Sequence, residues 1–198
     1  MIYKKSWKYI LIKDNIHNFY RPRAVKDFSN VRKGKLGGFV HDYRNLSQKG
    51  NCWIYDEAMV FGNAKLLDNA KISRKAAMYD DVVVTENASI EDNSFVAGSA
   101  KISGYSRVSG DSQVCENAQI FDNAEVYGSA KVHGDARVYE NAEIFGCSRV
   151  CGFAQVYGNA RIYGGATITG NVQVLGIAQV SGNVYICKDV NIKDKILT

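Results

Sequence analysis

The chain is poor in the residues that usually break up or cross-link a fold. Its 198 residues include one proline, two tryptophans, three histidines and five cysteines. The cysteines are odd in number and lie inside a repetitive region without paired spacing, so they predict no disulfide framework. No apolar run is long enough for a membrane helix or a signal peptide. We therefore expect a cytoplasmic protein with reduced thiols.

A strict six-residue period takes the place of these missing features. From Ile54 to Ile192, 24 consecutive sixth positions carry an aliphatic side chain or, at Met78, a thioether. The residue two places earlier is small, with 15 Ala, 4 Ser, 4 Val and Cys52. Such a period predicts an all-β parallel β-helix formed by one chain. Three hexads make one triangular coil of 18 residues, so the repeat predicts about eight coils.

The unit that begins at Val156 illustrates how each position is used. Because side chains alternate along a strand, Val156 points inward and Tyr157 points outward. Gly158 and Asn159 form the turn, and we expect the second turn residue to take a positive φ, since Asn tolerates it. Ala160 then fills the corner, where only a small side chain fits between stacked neighbours.

Some hexads depart from this pattern. Bulky apolar side chains occupy the second turn position at Tyr105, Phe153 and Ile177. We expect backbone strain there, offset by a contact with a partner or a neighbouring side chain. The preferences for turn and small residues lapse most around Arg74, Lys75, Met78 and Val82.

The repeat resembles the hexapeptide-repeat, left-handed parallel β-helix superfamily, whose enzymes are acyltransferases. Exposed residues such as Tyr157 follow the aliphatic position, where those enzymes often have Gly, so the chain is more similar to an uncharacterised bacterial and phage branch. Four segments resemble that branch's N-terminal module: residues 25–28, 37–40, 45–47 and 50–53. The resemblance implies a left-handed coil. We predict a basic β cap over residues 1–50, the β-helix over 51–194 and a tail over 195–198.

Charge is divided unevenly between the predicted cap and column. Residues 1–50 hold 12 Lys or Arg against three Asp, whereas residues 51–198 hold 13 against 17 Asp or Glu. We predict binding through six cap cations: Arg21, Arg23, Lys26, Arg32, Lys33 and Lys35. Nucleic-acid phosphate, an acidic protein surface or simple solvation of the cap all fit such a patch. The aromatic residues among these cations either stack on bases or form the core of the cap: Tyr3, Trp7, Tyr9, Phe19 and Tyr20.

Residues 18 apart stack, so the outward positions form rows along three faces. One face carries Tyr127, Phe145 and Tyr163, and another carries Phe121, Tyr139 and Tyr157. Stacked aromatic residues stabilise neighbouring strands, and contiguous exposed ones also mark interfaces. We predict that both rows are binding surfaces, first of all for a homo-oligomer, either a dimer or a trimer.

The third face carries a row of Cys115, His133 and Cys151. The two thiols are two strands apart on a flat face and no fourth ligand follows, so we predict no metal site. His133 is the sole histidine of the column; His17 and His41 lie outside the repeat. The resemblance to acyltransferases makes His133 a candidate general base with acetyl-CoA or another acyl-CoA as cofactor.

These patterns favour a non-catalytic protein without cofactor that acts through its surface. The resemblance points to a phage or prophage protein in a bacterial host, bound to a host protein or ribonucleoprotein and inhibiting a bacterial defence system. Two alternatives stay open at this point. One is a trimeric acyl-CoA-dependent acyltransferase with His133 as base, and the other is a structural solenoid that self-associates.

Overall fold

A computed structural model describes residues 7–14 and 19–198, and every regular element in these ranges is a strand. The first strands in chain order are β1 (Tyr9–Lys13), β2 (Tyr20–Ala24), β3 (Phe39–Val40), β4 (Trp53–Ile54), β5 (Met59–Val60), β6 (Lys65–Leu66), β7 (Lys71–Ile72), β8 (Ala77–Met78), β9 (Val83–Val84), β10 (Ser89–Ile90), β11 (Phe95–Val96), β12 (Lys101–Ile102), β13 (Arg107–Val108) and β14 (Gln113–Val114). The remaining strands are β15 (Gln119–Ile120), β16 (Glu125–Val126), β17 (Lys131–Val132), β18 (Arg137–Val138), β19 (Glu143–Ile144), β20 (Arg149–Val150), β21 (Gln155–Val156), β22 (Arg161–Ile162), β23 (Thr167–Ile168), β24 (Gln173–Leu175), β25 (Gln179–Val180), β26 (Tyr185–Ile186), β27 (Asn191–Lys193) and β28 (Ile196–Leu197). No helix within these described ranges could span a membrane.

Three sheets form the sides of the column, and their strands pair in parallel except for β1 and β2 at the start of the first sheet. Sheet I runs in the order β1-β2-β3-β5-β8-β11-β14-β17-β20-β23-β26, and sheet II runs from β4 through every third strand to β28. Sheet III runs from β6 to β27 in the same way. Each solenoid strand pairs with the strand one turn later, as in the register of Val114 with Val132. This arrangement is the predicted parallel β-solenoid, with about nine turns where the hexads alone predict about eight.

The interior of the column consists of the residues that define the period. The aliphatic positions and the small corner positions are fully buried through most of the column, as at Ile120, Val156 and Ala160. Burial lessens in the last turn, where Val190 is exposed and Ile186 is partly exposed. The rows of buried side chains replace a separate globular core, because each turn covers the previous one.

The parallel ladder extends beyond the repetitive sequence at both ends. Strand β3 pairs in parallel with β5, and Leu46 forms a parallel bridge with Leu66. Residues 39–50 therefore already lie in the first turn of the ladder although they lack the hexad. At the other end, β28 pairs with β25, so the predicted tail over 195–198 contributes a strand.

An antiparallel hairpin covers part of the first turn. Strands β1 and β2 pair over five residues each, and Tyr20 pairs with Val40 to join the hairpin to sheet I. The Tyr9 hydroxyl donates to the Leu46 carbonyl (2.5 Å). Asn45, fully buried, accepts two backbone N–H groups and donates to two carbonyls of the next turn. These bonds satisfy polar groups at an end that would otherwise be open.

Lys8 is a buried cation inside this cap. Its Nζ donates to the carbonyl of Cys52 (2.9 Å), contacts the Cys52 thiol (3.3 Å) and lies 5.1 Å from the Phe28 ring centroid. Burial lowers the pKa of Lys8 and raises the pKa of Cys52. The side chain thus ties β1 to the chain just before β4, and this cation is not available to an external partner.

The backbone takes positive φ at the first turn position, which corrects the expectation that the second would. Gly158 has φ 77° and Asp80 has φ 59°, whereas Asn159 is not among the residues with positive φ. The first position suits Gly because it has no Cβ, and Asp or Glu occupies most of the others, in several cases with the carboxylate bonded to the next turn. The Asp80 carboxylate accepts the N–H of Gly98 (3.0 Å), the equivalent corner one turn later. Glu116 accepts the N–H of Gly134 in the same way (2.7 Å).

The same geometry corrects the expected strain at the bulky corners. Tyr105, Phe153 and Ile177 occupy the second turn position and none of them has a positive φ. Their side chains are 71%, 62% and 66% exposed. These residues therefore fit the backbone without strain and project into solvent.

Replacing Asp80 tests the role of the corner carboxylates. Asp80→Ala keeps a Cβ at positive φ and removes the hydrogen bond to Gly98. We therefore expect the free energy of unfolding to fall by about 1 kcal/mol. Asp80→Gly loses the same bond but relieves the backbone, so its stability should stay within about 0.5 kcal/mol of the wild type. Urea denaturation followed by circular dichroism measures both. Equal losses for Ala and Gly would contradict this account of the corners.

Candidate functional site

Residues 23–35, which we call the cationic loop, hold five basic side chains and one acidic one. Backbone bonds close the loop on itself, from Ala24 N–H to the Lys35 carbonyl (3.0 Å) and from Gly34 N–H to the Ala24 carbonyl (2.8 Å). Buried Val31 and the Phe28 ring, 5.4 Å from Trp53, anchor it to the first turn. The loop is thus an ordered platform on the outside of sheet II.

The predicted cations of the loop point into solvent. Arg23, Lys26, Arg32, Lys33 and Lys35 are all exposed. The acidic residue, Asp27, pairs with Arg32 (3.4 Å) and accepts the Lys33 backbone N–H (2.7 Å). That backbone hydrogen bond lowers the pKa of Asp27, so the ionised carboxylate orders the loop and offsets one of its five positive charges.

Arg21 differs from the other predicted binding cations because it is occupied inside the protein. Its Nε donates to the Gly37 carbonyl (2.8 Å), and its guanidinium lies 4.7 Å from the Phe39 ring centroid. It also approaches Glu57 at 3.7 Å. These contacts fasten β2 to the first turn.

The aromatic residues of the cap divide into core and surface. Tyr9 is fully buried in the core, whereas Phe19 is partly exposed and packs on Phe61 of the column with ring centroids 4.3 Å apart. Trp7 is 48% exposed and meets Tyr43 edge to face at 5.5 Å. Tyr3 and His17, which the sequence analysis also named, fall outside the described residues.

The two predicted aromatic rows are continuous stacks. Phe121, Tyr139 and Tyr157 lie on sheet III with centroids 4.9 and 4.8 Å apart and planes within 6°. Tyr127, Phe145 and Tyr163 lie on sheet II at 4.9 and 5.0 Å, with planes within 5°. Each central ring has both faces covered by its neighbours. Only the ring edges of Tyr139 and Phe145 remain for a partner.

The tyrosine hydroxyls of these stacks are also occupied. Tyr139 donates to Gln155 (3.3 Å) and Tyr157 to Gln173 (3.1 Å), each on the next turn. Tyr127 donates to Glu143 (3.0 Å), and burial followed by that bond raises its pKa. The stacks therefore stabilise the column from outside, and their proposed role as interfaces stays a prediction.

The row of Cys115, His133 and Cys151 lies on sheet I, as expected. Both cysteines are free thiols, and no group of three or more potential ligands in the described chain could hold a metal. The His133 Nδ1 is 4.0 Å from a carboxylate oxygen of Glu116, which is 64% exposed. His133 follows the outward face of β17, and Glu116 lies at the corner one turn earlier.

The carboxylates of the column are concentrated at its corners. Within residues 51–198, every Asp and Glu occupies a turn position except Glu91, Glu125 and Glu143, which lie on sheet II. The outward strand positions of sheets I and III therefore carry no negative side chain. The corners thus hold 14 of the 17 carboxylates of the column, and the other three lie on the flat face of sheet II.

Sequence reasoning missed a third aromatic row on sheet I. Phe61, Tyr79 and Phe95 lie 5.7 and 5.5 Å apart with ring planes tilted by 51° and 36°. Phe61 and Tyr79 come directly after the inward-pointing residue of their hexads, whereas Phe95 comes directly before it. A fixed 18-residue spacing therefore does not find this row. The buried cluster around Lys8 also gives no sequence signal, because its partners Phe28 and Cys52 are distant from Lys8 in the chain.

Removing the central ring of a stack tests its structural contribution. Tyr139→Ala removes two stacking contacts, each worth about 0.5–1.5 kcal/mol, so we expect a loss of about 1–3 kcal/mol. Tyr139→Phe keeps the ring and loses one exposed hydrogen bond, which should cost about 0.5 kcal/mol. Thermal denaturation of both variants gives the comparison. Equal stability of Tyr139→Ala and the wild type would show that the stack is not formed in solution.

Comparison with known proteins agrees with this architecture. Residues 118–134 and 154–170 match the YdcK beta-solenoid repeat family. A 42-residue stretch is 48% identical to a protein of Escherichia coli (strain K12) named uncharacterized acetyltransferase YdcK, covering 21% of this chain and 13% of that protein. The chain thus spans about one eighth of that relative. The two matched segments are therefore similar to the YdcK type of β-solenoid repeat, which is consistent with the hexapeptide-repeat β-helix superfamily.

Proposed function

We propose that this protein is a non-catalytic binding protein whose cationic loop docks on an acidic surface of another protein. The observation that carries the proposal is the ordered loop itself, with Arg23, Arg32, Lys33 and Lys35 exposed around a single carboxylate. Such a local concentration of charge accelerates association with an acidic partner and fixes its orientation. The rigid column then serves as the support of the loop.

An acidic protein fits this surface better than an extended nucleic acid. The column carries more acidic than basic residues, and its carboxylates project from the corners, beginning with Asp56 and Glu57 in the first turn. A long polyanion on the loop would approach these corners and be repelled. In the two parallel stacks, neighbouring rings cover both faces of Tyr139 and both faces of Phe145. A nucleic-acid base therefore cannot stack on either ring.

The assignment of this partner to a bacterial host, and to its defence systems, rests on the sequence resemblance alone. Self-association through Phe121, Tyr139 and Tyr157 is a separate part of the proposal. Their edges and the exposed corner Ile177 supply apolar area on one side of the column. Light scattering on a variant with Ser at those three ring positions tests it.

Neutralising the cationic loop tests the proposed binding surface. The variant replaces four loop cations by Gln: Arg23, Arg32, Lys33 and Lys35. We expect the wild-type protein to capture a partner from nuclease-treated bacterial lysate. In the variant, the affinity for that partner should fall by more than about tenfold, because four charge contacts are removed. Capture at increasing salt, read by mass spectrometry and then by titration of the purified partner, measures the effect.

A matched control variant distinguishes an effect of the loop from a general effect of losing four positive charges. It replaces four exposed column cations by Gln: Lys65, Lys71, Lys101 and Arg137. This variant should bind as the wild type does. Capture that survives neutralisation of the loop, or that disappears with nuclease treatment, would contradict a protein partner at this site.

Acyl transfer is the second candidate function. It is favoured by the name of the Escherichia coli relative and by the position of His133 inside the matched segment 118–134. A general base must lie within hydrogen-bond reach of the group that it deprotonates. His133 has Glu116 at 4.0 Å as a neighbour, and its open surroundings offer few walls for a substrate.

Acetyl-CoA binding separates the two candidates. For a non-catalytic binder we expect no thermal stabilisation by acetyl-CoA and no release of free CoA with amine or hydroxyl acceptors. For an acyltransferase, stabilisation would appear in wild type and in His133→Gln, but turnover would fall by about 100-fold or more in the variant. Turnover dependent on His133 would replace our first proposal.

A further inference from the structure

The most irregular part of the repeat forms a cavity on sheet I. The cavity has a volume of about 300 Å³ and is lined by Phe19, Phe39, Glu57, Met59 and Lys75. Two of these residues interrupt the usual pattern of the corner: Glu57 and Lys75 occupy second turn positions, where most hexads have Asn, Asp, Ser or Gly. The departure from the repeat therefore has a structural result, which is a recess between the cap and the second turn.

A small residue lies next to Met59, one of the lining residues, in the ladder of sheet I. Ala77 lies in register between Met59 and Phe95, both of which have long or bulky side chains. Tyr79 follows the strand of Ala77 and Phe61 follows the neighbouring strand β5, and their rings are tilted against each other. Their tilt contrasts with the parallel stacks on the other two sheets. The surface here is apolar and concave, as small-ligand sites usually are.

One charge at the rim has no partner within the described chain. Glu57 lies 3.7 Å from the Arg21 guanidinium, which balances its charge. The Lys75 side chain makes no hydrogen bond or ion pair with any described residue. The recess therefore combines an apolar lining with a single uncompensated positive charge.

We propose that this recess binds a small amphipathic anion, an alkyl or aryl carboxylate or sulfonate. Its apolar body would contact Phe39 and Met59, and its anionic group would pair with Lys75. The volume is at the lower end of the range of about 300–1,000 Å³ for ligand pockets, so a small molecule fits better than a peptide. The site is distinct from the cationic loop, which packs on sheet II.

Fluorescence titration with 1-anilinonaphthalene-8-sulfonate tests this proposal, with decanoate as competitor. The wild-type protein should bind one probe molecule per chain, and decanoate should displace it. Lys75→Gln should weaken binding of the anionic probe about fivefold, as expected for a partly screened ion pair. The neutral analogue N-phenyl-1-naphthylamine should bind both proteins within about twofold. Met59→Glu places a carboxylate in the lining and should abolish binding of the anionic probe.

Two controls make the outcomes decisive. Lys65→Gln removes an exposed lysine on sheet III and should leave probe binding unchanged. The loop variant with four Gln should also retain it, so failure of the docking proposal would be distinguishable from failure of this one. Absence of saturable binding, equal weakening by Lys65→Gln and Lys75→Gln, or equal weakening for the neutral analogue would overturn the proposal. Circular dichroism of each variant verifies that the fold is retained.

Discussion

Stacking of like positions at a spacing of one turn is the constraint on which the whole structure depends. Val114 lies on Val132, and Val132 lies on Val150, while the backbone of each strand bonds to the next. Each turn gains its buried surface only because its neighbours have the same length. An insertion within a strand would disturb the stacking of inward positions, whereas one at a corner can protrude as a loop. Chemistry that needs loops and walls is therefore confined to the ends, the corners and the outward strand positions.

This constraint explains why the fold follows from the sequence. A period of six specifies inward and small positions independently in each hexad, so 24 weak signals agree on one architecture. Periodicity does not specify the handedness of the coil. Left-handedness therefore stays a prediction from the resemblance. The parallel ladder before residue 50 also has no periodic signal. It is held by particular contacts such as those of Asn45 with the next turn.

The candidate sites were less predictable because they depend on contacts between distant residues. Composition located the cations of residues 1–50, but it could not separate exposed Arg23 from Arg21, whose guanidinium is occupied by Gly37 and Phe39. Period analysis found the rows around Tyr139 and Phe145, whereas the recess beside Lys75 arises where the period is least regular. The regular part of the sequence thus predicts the scaffold, and the positions that depart from the period indicate where a binding site is to be sought.

Hydrogen exchange of the protein alone and in complex with its captured partner tests the central claim most directly. We infer that a stable column presents one localised docking surface. We therefore expect slow exchange for the strands of all three sheets and partner-induced protection confined to residues 19–40. Protection spread along the outward strands of sheet II or sheet III, with the cationic loop unchanged, would contradict it.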